Sequence, residues 1–408
     1  MQLKLSTFLA LCGLVLGGQC TANSTKPEPF GLFGDNPIYW PDANHTMFYP
    51  RITELSDGTI LATAGLNSSP MPVFPIFSSS DGGASWEWIS NMTDQVNGLG
   101  MNAQPALAEL TFDLSKSFPA GTVLASGNSW SPIGEKNSTN IDLYASHDKG
   151  RTWKFVSNVA RGSGPNTTNG TPCIWEPYIL PYEEDGTIGV FYSDQRDPLH
   201  GQKLAHQVSK DLLTWGPVVN DVAYKTYTDR PGMTVMAYLP PLKKWILVYE
   251  YPGTPPDFPG GDSWNGQAYP VYYRFASTPF TFDNDRGYPI VVDVDGGAQQ
   301  PGSSPYVVWS PSGGPNGTII VSDNDHSDVF TNSHAGAPDR WEVHATPQPN
   351  AYSRALHVPR GYPDHLMILG AARFSRKVPR PLSISVVSVK ELLTQPPGDA
   401  GGKTSISR

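Results

Sequence analysis

The chain has 408 residues, with 40 glycines, 40 prolines and a formal net charge of −9. An acidic balance with no basic run to reverse it excludes nucleic acid and anionic membrane as main partners. The glycine and proline content implies many turns, and helix-period segments are nearly absent: Val386 to Leu393 is the best candidate and reads equally well as a strand.

At the N-terminus, Lys4 is the one charged side chain before the mostly apolar run Phe8 to Leu16, and small residues follow as far as Ala22. Residues 1–22 therefore read as a secretory signal peptide, with a run too short to span a bilayer. Eight Asn-x-Ser/Thr sequons follow, at Asn23, Asn44, Asn67, Asn91, Asn137, Asn166, Asn169 and Asn316. Leader and sequons together predict a glycosylated protein secreted to the extracellular space. A cut after Ala22 removes Cys12 and Cys20 and leaves Cys173 without an intrachain partner, so the core must hold the fold. Cys173 reads as a buried small hydrophobe rather than a nucleophile.

Strand-like apolar runs then come in pairs around a tight turn. Four turns share a Gly-Thr-[Ile/Val] signature, at Gly58, Gly121, Gly186 and Gly317. Two more pairs fit the same frame with altered turns, from Arg230 to Val248 and from Arg354 to Leu369. The units open near Arg51, Gln104, Glu176, Arg230, Ser304 and Arg354, at spacings of 53, 72, 54, 74 and 50 residues. A four-stranded blade needs about 40–50 residues, so the long spacings imply insertions, at Arg161 to Thr171 and Pro252 to Gln267. Some 21 to 28 residues after the first two turns come two S-x-D-x-G-x-[S/T]-W stretches, Ser79 to Trp86 and Ser146 to Trp153, and a degraded copy at Ser209 to Trp215. They resemble the Asp box of sialidase-like β-propellers and suit a turn between the third and fourth strands. The expectation is an all-β, six-bladed β-propeller with Asp-box turns over residues 23–394, followed by a polar tail at 395–408.

In a propeller the first strand of each blade lines the central channel, so Arg51, Gln104, Glu176, Arg230, Ser304 and Arg354 are expected at one mouth. Second strands return to the same face, and counting from the turn glycines places Tyr192 and Asp323 there, with Asp194 just beyond Tyr192 and Glu250 aligned beside them. Glu176 and Glu250 thus face each other from adjacent blades. Two carboxylates across a cleft are the minimal equipment for glycoside hydrolysis. Their flanks Trp175, Tyr178 and Tyr249 are aromatic, which suits stacking on sugar and raises the pKa of a carboxyl that must hold a proton.

The linked motifs Trp175-Glu176-Pro177-Tyr178, Phe191-Tyr192-Ser193-Asp194, Gln202 to Gln207, Arg230-Pro231-Gly232-Met233 and Leu247-Val248-Tyr249-Glu250 resemble glycoside hydrolase family 93. Weaker correspondence includes Tyr49-Pro50-Arg51-Ile52 and Tyr352-Ser353-Arg354. The resemblance implies an exo-1,5-α-L-arabinanase on a six-bladed propeller. It would act from the non-reducing end of linear arabinan, release arabinobiose and retain configuration. It implies Glu176 as general acid/base and Glu250 as nucleophile. Arg51, Gln104, Trp175, Tyr178, Tyr192, Asp194, Arg230, Tyr249, Asp323, Tyr352 and Arg354 are the substrate-binding candidates. No metal and no cofactor are needed for this chemistry, and the implied partner is an oligosaccharide or polysaccharide met by a monomer.

Two rival readings stay open. Arg51, Arg230 and Arg354, with Tyr352, match the equipment of a sialidase. Against it, Ala62 to Phe77 contains no acid, and residues 212–228 offer only Asp221. A non-catalytic sugar-binding propeller (a lectin) is the other, although the mouth residues differ from blade to blade. The acidic loop Asp323 to Asp328 hints at calcium, but it lacks the glycine and terminal glutamate of a helix-loop-helix site and reads as a solvated loop.

Overall fold

Each unit folds as a four-stranded antiparallel sheet. Its apolar runs carry the β-branched and aromatic residues that suit a pleated surface, and glycines at φ of 63° to 86° (Gly58, Gly121, Gly186 and Gly317) turn the chain between them. The computed structural model describes residues 31–66, 71–131, 138–251, 269–294, 297–373 and 380–395. The leader, the sequons at Asn23, Asn67 and Asn137, the insertion at 252–267 and tail residues 396–408 lie outside the described residues.

The innermost strands are Met47–Glu54, Ala103–Glu109, Ile174–Tyr182, Gly232–Leu239, Tyr306–Ser310 and Ala355–His357. Each touches the innermost strand before and after it, and the sixth touches the first, so the sheets close into a ring. This is the expected six-bladed β-propeller. A small hairpin, Val292–Val294 with Gly297–Gln299, stands between blades 4 and 5. The ambiguous segment near Val386 is both things in turn: strand Leu382–Ser388 runs straight into a single helical turn, Val389–Thr394. Ser388 caps that turn by accepting the Glu391 N–H at 3.2 Å.

The apolar core lies between blades. Six buried clusters occupy the six interfaces, one each. Between blades 2 and 3, for example, Leu143 packs with Ile174 and Val190; between blades 6 and 1, Met367 and Ile384 pack with Ile60 and Phe77. No blade can bury its faces alone, so burial is complete only when the ring is.

The three Asp boxes join third and fourth strands, as their spacing predicts, and each latches onto the blade before it. In the first, Asp81 accepts from the Ser85 N–H at 2.9 Å and hydroxyl at 2.5 Å, while Ser79 Oγ accepts from Gly83 N at 2.9 Å. The second repeats this through Asp148 and Ser146. Its Trp153 Nε1 donates to Ser90 Oγ of blade 1 at 3.2 Å, and that hydroxyl donates to Gly150 O. The shortened third box keeps the pattern: Leu212, at φ of 62°, replaces the glycine, and Trp215 reaches Ser157 of blade 2 at 3.0 Å.

The ring closes on an N-terminal strand absent from the sequence-based frame. Phe33–Tyr39 forms the outer strand of blade 6, pairing with Leu382–Ser388. Its Asn36 side chain donates to Gly83 O and Ala84 O of the first Asp box at 3.1 and 3.0 Å. A chain lacking residues 31–39 should therefore lose both an edge strand and the clasp to blade 1. Thermal unfolding followed by circular dichroism should show a midpoint lower by about 5 °C or more; an unchanged midpoint would mean the seam does not depend on this strand.

Candidate active site

One local device repeats at the top of every innermost strand. In blades 1 to 4 the pairing skips, so that two residues oppose one: Tyr49-Pro50 against Ala64, Gln104-Pro105 against Gly127, Glu176-Pro177 against Tyr192, and Met233-Thr234 against Tyr249. The first residue of each bulge is left-handed, with φ of 59°, 61°, 62° and 62°. Ser304 and Ser353 hold the same place in blades 5 and 6, at φ of 42° and 59°. Proline follows in four of the six, where its missing N–H costs no ladder bond because pairing is already broken. Six side chains are thereby turned to one mouth: Tyr49, Gln104, Glu176, Met233, Ser304 and Ser353.

This differs from the sequence-based mouth by up to three residues in three blades. Tyr49 stands where Arg51 was expected, Met233 where Arg230 was, and Ser353 where Arg354 was. A second ring comes from the second strands, one residue beyond the bulge partner: Asn128, Ser193 and Glu250. Glu250 is thus offset by one from Tyr192 and Asp323, and a one-residue step changes the face.

The two glutamates flank the start of the fourth innermost strand. Glu176 Oε2 accepts from Met233 N at 3.0 Å and Ser193 Oγ at 2.7 Å. Its Oε1 lies 3.5 Å from Gln104 Nε2. Gln104 Oε1 in turn accepts the Glu176 N–H at 3.1 Å and Asn128 Nδ2 at 2.6 Å. Glu250 pairs across the sheet with Gly232, the residue before Met233. Its Oε2 accepts from Ser303 Oγ at 2.9 Å and Ser304 N at 2.8 Å. A Cβ on Gly232 would press on Gln202 Nε2 at 3.1 Å and touch Glu250 Oε1 at 3.4 Å.

Burial pushes the Glu176 carboxyl up to about 7, and the neighbouring Glu250 carboxylate adds to the rise. Burial also raises Glu250, against the donors Ser304 and Ser303, which favour its charged form. The Glu250 neighbour thus favours the protonated form of Glu176, while Ser303 and Ser304 favour the charged form of Glu250. Tyr352 and Tyr49 stay phenols, held well above the usual range by burial and by the nearby carboxylates. A cavity of about 330 Å³ has Tyr49, Gln104, Trp130 and Tyr352 among its walls; neither glutamate lines it, and Gln104 links it to Glu176.

The remaining expected site residues fall into three groups. Trp175 and Arg230 stand at the rim and share one anchor: Gln195 Oε1 accepts Trp175 Nε1 at 2.6 Å and Arg230 Nη2 at 3.0 Å. Arg230 also binds Asn169, Gly201 and Gln202, and Gln195 Nε2 binds Thr171 O at 3.0 Å. The insertion at 161–171 is thus tied into the rim. Arg51 and Tyr178 lie two residues below their bulges, inside the channel. Arg51 stacks 3.9 Å over the Tyr49 ring and bonds Ser353 Oγ at 3.0 Å; the Tyr178 hydroxyl donates to Met236 O at 3.1 Å.

The third group is turned away from the mouth. Tyr192, Tyr249, Asp323 and Arg354 have no exposure. Tyr192 bonds Gln207 and Arg196, and Tyr249 bonds Tyr224. Asp194 is clamped by Arg196 at 2.8 Å. Arg354 bonds the carbonyls of Asp323, Ser327 and Asp328. The three arginines thus have three separate sets of partners. The loop at Asp323 to Asp328, expected to be solvated, is anchored instead: Asp323 accepts from Gly302 N at 2.8 Å and from His326 Nδ1 at 2.6 Å. Among the described residues no three His, Cys, Asp or Glu side chains gather as a metal-binding group. Sequence reasoning missed Tyr49, Ser193, Met233, Ser303 and Ser353; the X-Pro step opening four units was the signal that could have set the register.

No family model and no curated protein matches the chain. Solved structures do. A GH93 α-L-arabinofuranosidase of Fusarium graminearum, solved with arabinobiose, is 41% identical with a TM-score of 0.81, over 89% of this chain and 99% of that one. The Penicillium chrysogenum α-L-arabinanase, also complexed with arabinobiose, is 38% identical with the same score and coverage. An intramolecular trans-sialidase from Ruminococcus gnavus, at 11% identity and a TM-score of 0.54 over 90% of this chain and 100% of that one, shares the fold alone.

The coupling of the two carboxyls is open to direct measurement. A carboxyl titration by ¹³C NMR should find Glu176 ionising near pH 7. Glu250→Gln removes the negative neighbour and should move that midpoint down. A midpoint that stays in place would show that the two groups do not sense each other.

Proposed function

The chain belongs to glycoside hydrolase family 93, and on that premise we propose that it hydrolyses linear α-1,5-L-arabinan from the non-reducing end, releasing arabinobiose with retention of configuration. The observation that carries the reading is the pair Glu176 and Glu250 on either side of Gly232-Met233, with the Glu176 carboxyl raised to about 7 by burial and by its Glu250 neighbour.

In this reading Glu250 Oε2 is anchored by Ser303 and Ser304, which leaves Oε1 to attack the anomeric carbon past Gly232. As that bond forms, Glu176 gives its proton to the glycosidic oxygen and the leaving sugar departs neutral. Loss of the proton leaves Glu176 a carboxylate. It then takes a proton from water, whose oxygen displaces Glu250 from the sugar, and both glutamates return to their starting states. Two inversions at one carbon give net retention. Arg230 and Trp175 at the rim, with Gln104 and Tyr352 by the cavity, are proposed sugar contacts.

A sialidase would need three guanidiniums on one carboxylate. Arg51, Arg230 and Arg354 serve separate partners, which favours the arabinanase reading. The lectin reading predicts equivalent residues in every blade, and the six bulge residues are of five kinds. Secretion and glycosylation are proposed from the leader-like stretch and the sequons alone.

Product analysis on linear arabinan should show arabinobiose as the first product, formed with its original anomeric configuration by NMR, and no cleavage of a sialoside. Glu176→Gln should lower kcat by about 10²–10⁴-fold. The pH profile of kcat/KM should be bell-shaped. Its alkaline limb falls as Glu176 loses its proton near 7, and its acid limb falls as Glu250 gains one. A mixture of long fragments, an inverted product or unimpaired Glu176→Gln would each contradict the part of the reading it tests.

A further inference from the structure

The position opposite the bulge is Ala64, Gly127, Tyr192 and Tyr249 in blades 1 to 4. In blade 5 it is Asp323, one residue past the Tyr306–Ser322 pair. A fully buried carboxylate is costly there, and blade 5 differs from the others in a second way: it supplies both donors to Glu250. Those donors sit on an unusual backbone. Ser303 and Ser304 are successive left-handed residues, at φ of 60° and 42°, and neither is glycine. Such a conformation persists only where its surroundings over-determine it.

The surroundings are explicit. Asp323 Oδ2 accepts from Gly302 N at 2.8 Å. The next residue, Asn324, donates its N–H to both Gly302 O and Ser303 O at 3.1 Å. Ser303 N donates to Tyr269 O at 2.7 Å, and Ser304 Oγ accepts from Ser353 N at 3.0 Å. Asp323 is itself held from behind by His326 Nδ1 at 2.6 Å and by Arg354 Nη2 at 3.8 Å.

We infer that Asp323 is a positioning residue for Glu250, acting through the Gly302–Ser304 turn whose Ser303 hydroxyl and Ser304 N–H bind the Glu250 carboxylate. The inference rests on the reading of Glu250 as nucleophile. It replaces the expected sugar contact with a role one step removed from substrate. Asp323 locks the turn; the turn holds Oε2 and stabilises the charged form; Oε1 is thereby kept ionised and aimed. The charged and titratable groups around the device are Glu176, Tyr49 and Tyr352 beside Glu250, and His326, Arg354 and Asp328 beside Asp323.

The test is the pH dependence of kcat/KM on linear arabinan for Asp323→Ala, Asp323→Asn and Ser303→Ala, each checked by circular dichroism. Loosening the turn weakens the donors to the Glu250 anion, so its pKa rises and the acid limb moves to higher pH. Asp323→Ala should lower kcat about 10- to 100-fold with KM little changed and move that limb up by about one unit. Ser303→Ala, which removes one donor directly, should move it the same way. Asp323→Asn retains an acceptor for Gly302 N and should show a smaller move; it carries the test if the alanine variant does not fold. An acid limb unmoved in every folded Asp323 variant, or a rise in KM with kcat intact, overturns the inference. Glu250→Gln separates this failure from that of the parent reading: full activity in that variant removes Glu250 as nucleophile, whereas its inactivity beside an unmoved Asp323 limb removes only the positioning role.

Discussion

The left-handed bulge at the head of each innermost strand is the constraint on which the site depends. A regular strand points successive side chains to opposite faces of its sheet, and in a propeller those faces press on neighbouring blades. A break in the pairing turns a first-strand side chain along the channel toward the mouth. The chain makes that break at Tyr49, Gln104, Glu176, Met233, Ser304 and Ser353, in a conformation costing about 1–3 kcal/mol for a non-glycine residue. What the strain obtains is convergence. Six residues far apart in sequence meet at one opening, and one of them is a glutamate whose proton is held by burial.

The scaffold tolerates this strain because its stability lies elsewhere. The six apolar clusters sit between blades, and the Asp boxes fasten neighbouring blades at the strand ends opposite the mouth. Substitution at the mouth therefore leaves the interfaces intact, and the interfaces constrain little of what the mouth displays. The bulge residues accordingly range from tyrosine to serine.

Blade number and the glutamate pair were legible because both are written in local patterns. Gly-Thr turns recur where φ must be positive, Asp boxes recur where a side chain must satisfy a tight turn, and the aromatic flanks mark Glu176 and Glu250. Register was not legible. Arg51, Arg230 and Arg354 drew attention as charged residues near the strand starts, but charge does not report which residue a bulge rotates. Tyr192 and Asp323 were counted from the turn glycines correctly as equivalent positions, yet those positions face away from the opening. Glu250 lies one residue further on and faces it. The strand Phe33–Tyr39 went unseen because its partner is at the other end of the chain, and no local pattern announces so distant a pairing.

That pairing has a consequence for biosynthesis. Phe33 pairs with Val386, so the strand Phe33–Tyr39 has no partner until the last blade has left the ribosome. Every intermediate before that point carries an open seam, with one apolar face of blade 1 uncovered and an unpaired strand at its edge. Contacts of such sequence separation form late, and exposed edges of this kind invite pairing with the wrong chain. The same seam makes an unfinished copy easy to recognise. A truncated chain cannot hide its first blade, so chaperones and proteases meet incomplete molecules with that surface still open and complete ones with it sealed.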